Sequence, residues 1–166
     1  MLFRSFKLVA PKQYDRNPRY FIFAGIVFSP LTQNLLCEWE ECSPRANLNV
    51  QLTKDPTHDV QEVIVAVQVL PDDINKGYHD KRALIITEVN GQVFKDFDDF
   101  HSLVITSGDK FITFKASNDY EIVIDRKKAK ESHNTILQTY NIESDSSPDL
   151  ASIYESKFKI VSNKIN

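Results

Sequence analysis

The alternation of apolar and polar positions sets the first elements. From Phe3 to Val9 the two kinds of residue roughly alternate, which predicts a first strand ended by Pro11. Asn17-Pro18 marks a turn. Phe21 to Phe28 is then a nearly continuous apolar run broken only at Ala24-Gly25, which predicts one strand buried on both faces with a bend at the glycine; Pro30 closes it. Thr32 is placed to cap a short helix carrying Leu35, Leu36 and Trp39, and Ser43-Pro44 has the form of a second helix start. Together these predict a helical insertion over about residues 31–60.

After the polar loop at Lys54 to Asp59, the valine-rich stretch Glu62 to Leu70 reads as a central strand stopped by Pro71. Asp72 to Gly77 suits one helical turn, with Gly77 where a left-handed residue is wanted. Leu84 to Val89 is a strand, and Asn90-Gly91 followed by Gln92-Val93-Phe94 is a strong hairpin signal. Asp96 caps a helix with Phe97, Phe100, Leu103 and Val104 at helical spacing, stopped by Ser107-Gly108. Phe111 to Phe114 and Glu121 to Ile124 alternate as strands around the turn cluster at Ser117-Asn118-Asp119. Asp125 caps a basic helix running to about Tyr140, whose inner face carries Ala129, His133, Ile136, Leu137 and Tyr140.

These elements predict an α+β, mainly β domain: a partly open barrel of about six strands with two principal helices and the helical insertion. The domain is expected over residues 1–140, with a tail over 141–166, mobile or docked. In that tail Glu143 to Pro148 is polar and expected to be mobile, while Leu150, Ile153, Tyr154 and Phe158 predict either a weak docking helix or disorder.

The chemistry is mostly a matter of exclusion. A net charge of −3 implies no broad attraction to nucleic acid or anionic lipid, and the basic run Arg126 to Lys130 lacks interleaved aromatics, so a solvated helix face is expected there. With only Gly25, Gly77, Gly91 and Gly108, the chain has no phosphate-cradling loop, and its one serine-glycine contact, Ser107-Gly108, reads as a helix-ending turn rather than as part of an oxyanion hole. His58, His79, His101 and His133 are scattered without metal-ligand spacing, so no metal and no cofactor is expected. Asp72-Asp73 and Asp98-Asp99 read as helix caps rather than an acid–base pair. Cys37 and Cys42 fit neither a redox pair nor a zinc half-site and are expected as two unpaired thiols. No apolar run approaches the roughly 20 residues that cross a bilayer, and no targeting segment is visible, which leaves the compartment open.

Three segments together carry a family likeness. Leu84 to Phe94 followed by the capped helix with Phe97 and Phe100 resembles the hairpin-then-helix of PDZ domains. Tyr20 to Thr32 and Val67 to Tyr78 look much like the second, C-terminal PDZ domain of Deg/HtrA serine proteases, and all three segments occur in that family's order over about Leu8 to Leu150. The insertion from Glu38 to Val60 and the residues from Ala151 on match nothing in that pattern, and the family's protease domain with its His-Asp-Ser triad is missing from this sequence.

The resemblance implies a non-catalytic module that binds peptide or unfolded segments by strand addition, or joins protease subunits into trimers or hexamers. It places the site at Phe23-Ala24-Gly25-Ile26, either as a loop whose N–H groups hold a carboxylate or as a simple bulge. Ile26 and Phe28 would offer the strand edge, with Phe100 and Leu103 or Val104 on the facing helix. Leu150, Ile153 and Tyr154 could fill that groove from within. A free-standing adaptor is the alternative, and a small hydrolase using Asp72 or Asp73 with His79 is disfavoured by the missing oxyanion glycines.

Overall fold

The computed structural model describes residues 7–40 and 46–150, without the side chains of Trp39, Glu40 and Ala46. The strands are β1 (Phe21–Phe23), β2 (Ile26–Pro30), β3 (Ile64–Val69), β4 (Leu84–Val89), β5 (Gln92–Val93), β6 (Phe111–Ala116) and β7 (Glu121–Asp125). They form one seven-stranded antiparallel sheet in the order β1-β2-β3-β4-β6-β7, with β5 turned back against β4. Helices α3 (Phe97–Thr106) and α4 (Arg126–Thr139) are the two principal ones, and α1 (Gln33–Glu40) and α2 (Ala46–Leu52) make up the insertion. This is the mainly β, open-sheet architecture that the patterning predicts.

Three apolar clusters hold the layers together. Ile64 and Ala66 of β3 face one core with Phe28, Phe97, Phe100 and Phe114, while Val63 and Val65 face a second with Leu31, Leu36 and Leu48 of the insertion. Burial on both faces is why β3 is a valine run rather than an alternation. A third cluster sets Ile22 of β1 and Leu70 under Ile136 of α4.

Two readings are corrected. The run from Phe21 to Phe28 is a hairpin, not one strand: Ala24 (φ 50°) and Gly25 (φ 78°) both take the positive φ of a type I′ turn, so Phe21 pairs with Phe28 and Phe23 with Ile26. Apolar residues on every face of a short hairpin hide the turn from a periodicity reading. Cys37 is disulfide-bonded rather than a free thiol, and Cys42 lies outside the described residues. Of the first expected strand, Lys7 to Val9 is irregular, with Leu8 and Val9 buried and Ala10 bridging to Thr32. Its earlier part, the Ser43-Pro44 start, Ile153, Tyr154 and Phe158 lie outside the described residues.

Candidate sheet-edge site

The Ala24-Gly25 turn is locked from below. Asp72 caps a single 3-10 turn (Asp73–Asn75) in a capping box, which fixes Asn75 fully buried. Its amide nitrogen donates to the carbonyls of Ala24 (2.7 Å) and Leu70 (2.8 Å), and its carbonyl accepts from the Asp72 N–H (3.0 Å). A Cβ on Gly25 would come within 2.6 Å of both Asn75 Nδ2 and Leu70 O, so the turn is a close-packed fixture that only glycine fits.

β2 is flanked by β1 and β3, so the edge expected on Ile26 and Phe28, both 0% exposed, is not there. The sheet ends one strand earlier, at β1, and β1's outer side faces a segment of the same chain, residues 144–150. Asp145 O accepts from Ile22 N–H (2.7 Å), Ser147 N–H donates to Tyr20 O (2.9 Å), and Phe21 bridges antiparallel to Ser146. Side chains reinforce this pairing: Tyr20 N–H donates to Ser147 Oγ (3.3 Å) and Tyr20 Oη to Ser144 O (3.2 Å). Leu150, 0% exposed, joins the main core with Phe21, Phe97 and Phe100. The segment expected to be mobile is thus docked as a strap, bonded through its backbone and through the Ser147 hydroxyl.

α3 lies beside β1, with His101 edge-on to Phe21 at 4.6 Å between ring centroids. One end of the strap is a charged knot. Arg19 directs Nη1 to Glu62 (3.4 Å), Nη2 to Asp98 and Nε to Asp149 (2.5 Å), with its guanidinium carbon 5.3 Å above the Phe97 ring. Glu62 also accepts the Phe97 N–H at the start of α3 (2.8 Å). Burial raises the Glu62 carboxyl's pKa, against the N–H bond and Arg19. On Arg19 burial opposes the charge, but Glu62, Asp149 and Asp98 outweigh it and raise its pKa.

At the strap's other end His133 of α4 lies 3.2 Å from Asp145. The hydrogen bond that His133 donates to the Asp145 carboxylate raises the imidazole's pKa, and the same bond holds Asp145 below its ordinary value.

Of the residues singled out from the sequence, Phe23 lies on β1, while Ala24 and Gly25 form the locked turn. Phe100 and Val104 are 0% exposed on the core face of α3, and Leu103 packs beside them half-buried. The surroundings of β1's outer side are instead Arg19, Tyr20, Ile22, Glu62, Asp98 and His101, to which the sequence reading gave no part in the site, and the strap, of which it named Leu150 as a filler from within. The one available signal was Asn17-Pro18-Arg19, a charged residue held between a turn and an apolar run. Among the described residues no cluster of His, Cys, Asp and Glu could hold a metal ion, and no helix is long and apolar enough to cross a membrane.

The sequence pattern of the PDZ domain matches residues 9–149, which includes the strap up to Asp149. The chain is 30% identical over 143 residues to protease Do-like 2, chloroplastic, of Arabidopsis thaliana, covering 83% of this chain and 23% of that protein. It is 32% identical over 137 residues to protease Do-like 4, mitochondrial, of the same plant, covering 82% of this chain and 24% of that protein. The chain therefore spans about a quarter of the length of these curated relatives. The PDZ domain pattern over residues 9–149, carried on an antiparallel sheet whose outer strand β1 lies beside the capped helix α3, identifies the chain as a member of the PDZ domain family.

Proposed function

We propose that this chain is a non-catalytic module of a Deg/HtrA-type serine endopeptidase, which takes up an extended protein segment by strand addition along the outer edge of β1. The observation that carries this reading is the strap: residues 145–147 already pair with Tyr20, Phe21 and Ile22 as an added antiparallel strand would. A segment from a substrate or from another subunit of the protease enters the same place by displacing the strap. Because the strap is tethered, it competes at an effective concentration on the order of millimolar, so the groove of the intact chain is selective by default. Candidate contact residues are Tyr20, Phe21, Ile22 and Phe23 on the strand and His101 and Leu103 on α3.

The test uses the whole chain, with and without Leu150→Ala to loosen the strap, and a permanently unfolded protein such as reduced carboxymethylated α-lactalbumin. The Ile22 and Tyr20 amide resonances are expected to shift on addition, more in the variant than in the native chain. Binding that leaves β1 untouched, or no binding by either protein, overturns the reading. Casein hydrolysis by the pure chain overturns its non-catalytic part, and a parent gene without a trypsin-like domain favours the free-standing adaptor instead.

A further inference from the structure

The strap is a sample of what the groove accepts, and its chemistry is uneven. Two nitrogens of Arg19 are held by the domain's own walls, Nη1 by Glu62 and Nη2 by Asp98, and the guanidinium lies over Phe97. This fixes the plane and leaves Nε–H for the occupant, where Asp149 supplies the carboxylate at 2.5 Å. The place favours an anion despite the two wall carboxylates: burial opposes the charge on Asp149, yet hydrogen bonds from Ser147 and Arg19 hold its pKa below the ordinary value. Directly after it Leu150 is wholly buried. A turn closed by Leu150 N–H to Ser147 O (3.0 Å) sets this pair at the end of the paired strand. Further residues follow Leu150 in the sequence, so the strap itself is an internal segment.

We propose that the groove recognises internal segments of partner proteins in which a short extended stretch is followed by an acidic residue directly before an aliphatic one, the acid bound by Arg19 Nε and the aliphatic side chain by the core beside Phe97 and Phe100. The inference rests on strand addition at β1 and adds the ligand's chemistry to it.

The test uses the full chain carrying Leu150→Ala and labelled, carboxy-amidated peptides with the sequence of residues 143–150. The native-sequence peptide is expected to bind and to shift the Ile22 amide. The Asp149→Asn peptide is expected to bind about three- to tenfold more weakly, the worth of a charge-assisted hydrogen bond discounted for a partly exposed site. Arg19→Gln in the chain is expected to erase the difference between acid and amide. Equal binding of the Asp and Asn peptides, or binding only by a peptide with a free terminal carboxylate, overturns the ligand assignment while leaving strand addition intact. If no peptide, a scrambled one included, moves Ile22, both fail together. Should Leu150→Ala not fold, Asp149→Asn in the otherwise native chain is expected to lower the exchange protection of the Ser147 amide about three- to tenfold, and unchanged protection overturns the assignment.

Discussion

The two edges of the sheet are finished in different ways. At β7 the cover is a single side chain: Tyr78 Oη accepts from the Val123 N–H (3.2 Å), and α4 follows directly on the strand. At β1 the cover is backbone, residues 145–147 paired like a strand within a strap pinned at each end by charge, Asp145 to His133 and Asp149 to Arg19. Both devices keep an open edge from pairing indiscriminately. A side-chain cap offers another chain nothing to replace, whereas a paired strap can be exchanged for a similar strand. This difference is the reason the proposed interaction surface is placed at β1.

The sharpest way to break this contrast is Leu150→Ala. Losing a wholly buried leucine should cost about 2 to 4 kcal/mol in a denaturant titration, and the amides of Ile22 and Ser147 should lose exchange protection ahead of the rest of the sheet. Gly25→Ala comes next. A Cβ at 2.6 Å from Asn75 and Leu70 at a φ of 78° should cost about 2 kcal/mol without opening the strap selectively, which separates fixture from groove. Tyr78→Phe at the opposite edge should cost about 1 kcal/mol or less and leave strap protection unchanged.

The smallest effect is one of pH. Asp145 is faced by His133 from α4, by His101 from α3 and by the Ser146 hydroxyl. The pKa of His133 is raised from 6.5, so its contribution is fully present below that value and is lost as pH rises through the folded value. The pKa of Asp145 is lowered from 3.8, so its contribution is present above that value and is lost as pH falls through the folded one. Strap protection should therefore be greatest between the two and decline on mild alkalinisation. His133→Ala should flatten the alkaline limb, and an unchanged profile in that variant would assign the limb to another group.

Much of the architecture was legible because it rests on local signals. The Asn90-Gly91 hairpin, the caps at Asp72, Asp96 and Asp125, and the helical spacing of Phe97, Phe100 and Val104 all occur where sequence chemistry puts them. The site was less legible, for two physical reasons. Ala24 adopts a positive φ that its side chain does not favour, and it is held there by a buried Asn75 fifty-one residues away, so the turn was read as a bend. The strap binds through its backbone, and a polar run such as Ser144 to Ser147 says nothing about where its N–H and C=O groups pair. Arg19 gathers carboxylates from three distant parts of the chain, a proximity that only the fold creates.

Hydrogen exchange of the native chain, followed residue by residue, bears most directly on an exchangeable strap. Residues 20–22 and 145–147 should open together, with a lower free energy than the strands β3 and β4, as one cooperative unit. Exchange of those amides only through global unfolding would mean that the strap is a permanent strand and that β1 offers no edge to a partner.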